Sequence, residues 1–406
     1  MPNAPLLSVA DALARILADA HPMETEAVGL LDADSRVLAG PLTARRTQPP
    51  FDVSAMDGFA VRAADAASLP AELRIIGEAA AGHGFRGAVG PGEAVRIFTG
   101  APVPEGADAI VIQENTAFDA STVRIVDGTP ETGHVRPTGS DFREGQTFFA
   151  AGHLLNSRDI TLAAALGHAS LEVHRRPRVA IVATGDELVL PGEPTGPDQI
   201  VCSNPYGVAA MVRRAGGDPL FLGIARDDRA HLAETVARGR DADVLVFIGG
   251  ASVGDHDLVG PVLQDLGMAL DFWRIGMRPG KPLMYGRLAH HHVLGLPGNP
   301  VSSMITSRIF LVPLLQALLG RKGIGDATAG RRAHLAIDLG PNGPRQHYMR
   351  AVSRTEPDGT LTVTPVRSQD SSLLSPLAEA DMLVVRPAND PPRKAGDNVS
   401  VLPLDF

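Results

Sequence analysis

The chain has 406 residues, 44% of them apolar and 20% charged, ordinary values for a folded protein of roughly two to four domains, so disorder is excluded as its main state. With 37 Lys plus Arg against 46 Asp plus Glu the net charge is −9, and aromatics are scarce, which together argue against a nucleic-acid binder. The one cysteine, Cys202, excludes an intramolecular disulfide framework and a cysteine-only zinc site and suits a reducing compartment.

In chain order, Ser8-Val9-Ala10-Asp11 reads as a helix start, with Val9, Leu13, Ile16, Leu17 and Ala20 on one face. The helix ends by His21-Pro22 and needs a packing partner later in the chain. Residues 27–141 read as a β-rich domain, with strands at 73–76, 94–97, 109–112 and 123–126. A helix at 159–167 is expected to partner the N-terminal helix, giving a composite domain of 1–26 plus 142–176. From 177 to 326 strands at 179–183, 219–224, 244–248 and 292–296 alternate with helices near 204–215, 229–238, 258–266 and 301–319, the last interrupted at Pro313. That is the pattern of a mostly parallel α/β sheet. Residues 327–406 return to short strands and read as a closing β domain. No run of about 18 apolar residues is unbroken, because Arg308 and Pro313 interrupt 304–319, and no signal-peptide pattern opens the chain. The expectation is a cytoplasmic protein with no membrane partner.

Open α/β sheets bind ligands beyond the carboxyl ends of their strands. Four such ends carry turn glycines, carboxylates or both: Thr184-Gly185-Asp186-Glu187, Ala225-Arg226-Asp227-Asp228, Gly249-Gly250 with the residues up to Asp257, and Pro297-Gly298-Asn299-Pro300. Each has a plain alternative. Asp227 or Asp228 caps the next helix, Gly249-Gly250 only makes a tight turn, and 297–300 is turn chemistry. Converging on one crevice, the carboxylates suit Mg²⁺ and the glycine amides suit a phosphate. Arg274, Arg278 and Lys281, in a Pro/Gly-framed loop, are either a solvated basic loop or an anion clamp. Upstream, Ser54 and Asp57 lie in a dense polar turn at 49–61, where Asp52 is expected to make a local Asx turn. His290-His291-His292 enters a predicted strand, so its side chains alternate faces and a native metal site there is not expected.

The segments Phe51-Asp52-Val53-Ser54-Ala55-Met56-Asp57-Gly58, Thr99-Gly100-Ala101-Pro102-Val103-Pro104, Thr184-Gly185-Asp186-Glu187-Leu188, Gly250-Ala251-Ser252-Val253-Gly254, Pro279-Gly280-Lys281-Pro282 and Leu296-Pro297-Gly298-Asn299-Pro300, in that order, resemble the molybdopterin molybdenumtransferase family, the MoeA proteins and the E domain of gephyrin. The resemblance spans essentially the whole chain. It implies a four-domain subunit with a MogA-like α/β domain and a C-terminal β-barrel-like domain, in an elongated homodimer. It also implies Mg²⁺-dependent insertion of molybdenum from molybdate into adenylyl-molybdopterin, with release of AMP. Carried over position by position, it implies catalytic roles for Asp57, Thr99, Asp141, Glu187 and Lys281. Substrate contacts are implied for Ser54, Gly250, Ser252, Gly254, Arg278, Pro297, Gly298, Asn299, Pro300, Arg350 and Ser371, and metal contacts for Glu187, Asp227 and Asp257. The site is then expected between the α/β domain of one subunit and the β-rich domain of the other. Transient contacts with the adenylyltransferase and recipient molybdoenzymes are implied as well. Arg278 stands where the family commonly has lysine, Asp370 where it has glycine and Asp381 where it has asparagine. Competing readings are the adenylyltransferase of the preceding step and a non-catalytic molybdopterin carrier or scaffold.

Overall fold

The computed structural model describes residues 6–128, 132–250, 258–323 and 330–405. Its centre is a six-stranded sheet in the order Asp218–Ala225, Arg178–Thr184, Val244–Ile248, His291–Leu296, Met284–Leu288, Ala269–Trp273. The first four are parallel and the last two antiparallel. Both faces are covered. Val179, Ile181, Val244 and Val246 point into a core shared with helices Asn204–Arg214 and Pro300–Leu318. The alternate residues Ala180, Val182, Leu245 and Phe247 point into a second core against helices Arg229–Arg238 and Val259–Asp265. Two-sided burial is why these strands read as continuous apolar runs. The strand order reverses direction of travel at Arg178–Thr184, so a crevice opens there at the carboxyl ends.

Helix Pro300–Leu318 is 19 residues long and apolar enough to span a membrane by length and composition, but 78% of it is buried within the protein. It is a core helix of the α/β unit. Pro313 does not break it. The turn at Ser307–Leu311 widens to π geometry just upstream, which makes room for the missing N–H and the proline ring.

Helix Val9–Ala18 is capped by Ser8, whose Oγ accepts the Asp11 N–H at 3.1 Å. Its buried face, Val9, Ala12, Leu13 and Ile16, joins the α/β core. The expected pairing with the helix now seen at Ser157–Ala165 is not made, since that helix packs in a separate core with Ala33, Leu38 and Leu42. An apolar stripe declares that a partner is needed, not which one. Strand Thr25–Gly29 pairs with Ser170–His174, and Leu42–Thr43 with Thr147–Phe149.

Between these pairs lies a six-stranded sheet containing Gly58–Val61, Ala71–Ala79, Glu93–Ile97, Ala109–Ile112, Thr116–Phe118 and Thr122–Ile125. At the C-terminus Gln346–Thr355, Leu361–Pro365, Arg331–Leu335, Asn398–Pro403 and Met382–Arg386 pair in that order, and the last pairs back to the first, closing a five-stranded barrel. The short strand Met277–Arg278 of the α/β unit adds to this barrel alongside Gln346 and His347.

Candidate active site

Gly185 follows the central strand with φ of +140°, and a Cβ there would lie 2.3 Å from Glu187 Oε2. Only glycine lets the Glu187 carboxylate fold over the strand end. Gly249 and Gly250, at φ +94° and +58°, close on the same point. A Cβ at Gly249 would sit 2.7 Å from the Thr184 carbonyl oxygen, and one at Gly250 2.8 Å from Thr184 Oγ1. Thr184 Oγ1 is buried and has no hydrogen-bond partner among the described residues. A buried hydroxyl left unpaired at a strand end is a place where a polar ligand is needed.

A cleft of about 800 Å³ opens over these groups. Glu187 and Asp227 reach it from two strand ends, and Pro297, Gly298, Asn299 and Pro300 from a third. Helices Asn204–Arg214 and Pro300–Leu318 both begin at its wall, and neither Ser203 nor Asn299 caps its helix with a side chain. Pro205 and Pro300 have no N–H to offer and the Val301 N–H donates to the Ser371 carbonyl at 3.1 Å, so what these helix starts bring to the cleft is their positive dipole ends, which suit an anion. The Asn204 side-chain amide donates to the Gly298 carbonyl at 2.7 Å, and the Asn299 amide donates to Ser371 Oγ at 3.0 Å. Ser372 and Leu374 of that C-terminal segment complete the lining. The two neighbouring carboxylates divide their work. Asp228 accepts the His231 N–H at 2.8 Å as the helix cap, while Asp227 faces the cleft.

Cys202 also borders the cleft, and burial, reinforced by the nearby Glu187 carboxylate, pushes its thiol up to about 11. It is protonated at neutral pH and is a poor metal ligand. Among the described residues no cluster of three metal-ligating side chains occurs. Glu187 and Asp227, which both line the cleft, nevertheless fit Mg²⁺, which is commonly held by one or two carboxylates together with substrate phosphates. Asp257, Ser252 and Gly254 lie outside the described residues.

The remaining sequence-derived residues fall elsewhere. Asp57 accepts both the N–H and the Oγ1–H of Thr99 at 2.8 Å, which holds its carboxyl below the usual range. Asp52 does not make a local turn. It accepts the N–H and hydroxyl of Thr138, 86 residues away, at 2.7 and 2.9 Å. The two Asp–Thr clamps pin one turn to two distant loops, a pairing that local turn chemistry cannot announce. Asp57, Thr99 and the exposed Asp141 do not line the Glu187 cleft within the chain.

Three of the implied contact residues lie away from this cleft within the chain. Ser54 is fully buried, its hydroxyl donating to the Met56 carbonyl at 2.6 Å, so it closes its own turn. Arg350 is 1% exposed and donates to the carbonyls of Leu373, Ser368 and Asp370 at 2.9–3.0 Å. It shapes the loop carrying Ser371 and does not itself face the cleft. Arg278 lines a different cavity, with His347 and Arg386, while Lys281 is exposed and only its neighbour Pro282 lines the cleft. In the histidine triplet, His291 Nδ1 meets the Ala242 carbonyl at 2.7 Å and His292 Nδ1 the Tyr285 hydroxyl at 2.9 Å. Thr184, quoted in its motif but given no role, and Asn204 are two cleft residues that sequence reasoning did not place. Their adjacency to Gly185 and to the helix start at 204 was the available signal.

The chain matches the MoeA N-terminal region (domains I and II) over 7–167, a probable molybdopterin-binding domain over 180–317 and the MoeA C-terminal region (domain IV) over 332–404. It is 36% identical to a molybdopterin molybdenumtransferase of Nostoc sp. over 99% of this chain and 95% of the relative. The chain belongs to the molybdopterin molybdenumtransferase family. A relative of the same name from Haemophilus influenzae is 31% identical over 95% of each chain. The crystal structure of a molybdopterin biosynthesis MoeA protein from Pyrococcus horikosii superposes with a TM-score of 0.84 at 28% identity, covering 99% of this chain and all of that one. The family is one of transferases in molybdenum cofactor biosynthesis. Matches flanking the molybdopterin-binding region on both sides favour this assignment over the adenylyltransferase.

Proposed function

We propose that this protein transfers molybdenum from molybdate to the dithiolene of adenylyl-molybdopterin and releases AMP. The observation that carries the proposal is the cleft at the sheet's switch point, where Glu187, Asp227, two glycine turns and two uncapped helix starts meet in a family member. The positive ends of the two helices and the turn at Gly250 bind the phosphoanhydride, and Thr184 Oγ1 gives the ligand a hydrogen bond it otherwise lacks in the protein. Glu187 and Asp227 would hold Mg²⁺, which when bound supplies positive charge to offset the negative charge developing on the departing phosphate. Asn299 and Ser371 orient the loop facing the pterin, and Arg350 holds that loop from behind. Cys202, kept protonated, leaves the molybdenum to the substrate's two sulfurs. We place Asp57, Thr99 and Asp141 of the partner subunit across this cleft in a homodimer, with Lys281 at its entrance. The free buried thiol suits the cytoplasm. The division into 1–26 plus 142–176, 27–141, 177–326 and 327–406 stays with this proposal.

The test is AMP release from adenylyl-molybdopterin in Mg²⁺, with and without molybdate. Molybdate-dependent release, yielding product that activates an apo-molybdoenzyme, is expected. Glu187→Gln is expected to lower the rate at least about 100-fold with an unchanged circular dichroism spectrum, in line with loss of a group acting on transition-state charge. A folded variant with full turnover would remove Glu187 from the chemistry. Tight pterin binding without release would make the protein a carrier.

A further inference from the structure

The turn at 52–57 is stitched to its surroundings on both flanks. On one side the Ser54 N–H donates to the Ala101 carbonyl at 2.9 Å, the Gly100 N–H to the Ser54 carbonyl at 2.8 Å and the Val103 N–H to the Asp52 carbonyl at 2.9 Å. On the other, Val53 and Ser54 pair with Arg136 and Val135, and the Ala55 N–H donates to the His134 carbonyl at 2.8 Å. Further along that second segment, the Gly139 N–H donates to the Pro49 carbonyl at 2.9 Å and the Asp141 N–H to the Gln48 carbonyl at 3.1 Å. Thr138, between these contacts and the strand pair, is held to the turn by the Asp52 carboxylate.

The two clamps on this turn are built alike. Each carboxylate takes the N–H and the hydroxyl of one threonine on a single oxygen, Oδ1. Bonds to an ionised acceptor are the stronger kind, and the Thr138 N–H, then its hydroxyl, hold the Asp52 carboxyl below the usual range, so the clamp is charged and intact at neutral pH. Asp52 is exposed, and what its clamp secures is the course of a surface loop. That loop carries Asp141, and the other end of the same turn carries Asp57 with its Thr99 clamp. One short turn therefore ties together the loops that present Asp57, Thr99 and Asp141.

We propose that Asp52 is a positioning residue for the transfer reaction: through Thr138 it fixes the loop of Asp141 relative to Asp57 and Thr99, and it does not itself touch substrate. This role rests on the transfer reaction proposed above. Reacting groups must be held to a fraction of an ångström by the bonds behind them, and a misplacement of about 1 Å costs on the order of 100-fold in rate. Without the clamp, the 137–141 loop keeps its backbone contacts at Gly139 and Asp141 but loses the side-chain tie to the turn. Binding in the Glu187 cleft is then untouched, and the chemical step slows.

The test compares full-length Asp52→Ala, Thr138→Val and Thr138→Ser with wild type in AMP release and in amide hydrogen exchange. Asp52→Ala is expected to lower kcat at least about tenfold and to leave KM for adenylyl-molybdopterin within about twofold, the signature of an interaction that matters only in the transition state. Thr138→Val, which keeps the N–H arm of the clamp, should fall between Asp52→Ala and wild type, and Thr138→Ser, which keeps both arms, should match wild type within about twofold. Amides of 138–141 should exchange at least about tenfold faster in Asp52→Ala, with protection of the strands Gly58–Val61 and Glu93–Ile97 unchanged. A kcat equal to wild type in Asp52→Ala, a rise in KM alone, or a loss of protection across the whole β-rich sheet would each overturn the proposal, the last because it makes Asp52 a stability residue. Wild-type protein that releases no AMP would instead remove the transfer reaction and the positioning role with it, while exchange would still report whether the clamp orders the loop, so the two failures are distinguishable.

Discussion

Asp390 is a single carboxylate between two guanidiniums. Arg386, 2% exposed, donates from Nε, and Arg393 from Nε and a terminal nitrogen. Those contacts, Arg393 first, hold the Asp390 carboxyl below its usual range against the opposing effect of burial. Removing it strands a buried charge, so Asp390→Ala is expected to cost about 3–5 kcal/mol, read as a lowered urea midpoint. The pH sign follows from the same contacts. A depressed folded value means the contribution is fully present above the unfolded value of about 4 and is lost as pH falls through the folded one. Urea midpoints measured from neutral pH down to about pH 3 should therefore fall more steeply for wild type than for Asp390→Asn. Equal slopes would show that the pair does not set acid stability. Residue roles of this kind were poorly legible in the sequence. Arg350 and Arg278 were recognisable as cations, but whether a guanidinium faces a cleft, a loop's carbonyls or a second cavity depends on strand register, which no local pattern encodes. Glu187 and Asp227 were legible because a strand end places whatever follows it at the crevice.

At the scale of elements, Gly58 shows how backbone proximity positions a distant pair. It begins strand Gly58–Val61, which pairs with both Glu93–Ile97 and Ala109–Ile112. A Cβ at Gly58 would lie 2.0 Å from the Val111 carbonyl oxygen, a backbone atom that cannot swing away. Gly58→Ala is expected to destabilise this sheet by more than about 2 kcal/mol. It should also loosen the adjoining Asp57–Thr99 clamp, seen as faster proteolysis within 50–140 and loss of amide protection at Thr99. An unchanged melting temperature would mean the strands separate at little cost. The parallel strands were easy to read, since burial on both faces leaves runs such as 244–248 wholly apolar. The antiparallel extension was not. Ala269–Trp273 and Met284–Leu288 carry Asp271, Gly286 and Arg287, and their strand character comes from cross-strand partners. Barrel strand Gln346–Thr355 hid for the same reason, with His347 and Arg350 buried and Arg354 exposed, so that its polar residues do not mark one solvent face. Pro313 was read as a break because the compensating π turn leaves no mark in sequence.

At the scale of the molecule, the chain places its two polar constellations apart. Glu187 and Asp227 share one cleft, while the Asp57–Thr99 and Asp52–Thr138 clamps sit in the β-rich sheet's loops and do not line it. If both sets act in one reaction, they must meet between subunits, and the symmetry of a dimer makes this measurable. Asp57→Ala and Glu187→Gln homodimers are each expected to be inactive in AMP release. Mixing them by co-expression puts both lesions in one site of the mixed dimer and leaves the other site intact. With random pairing half of the dimers are mixed, so activity should return to about a quarter of wild type. Were the two residues to act within one subunit, every site in the mixed dimer would carry one lesion and no activity would return. A second pairing, Glu187→Gln with Asp227→Ala, serves as the internal standard. Both residues line the same subunit's cleft, so no mixture of those two variants should recover turnover, and recovery there would show that the cleft itself is built from two chains.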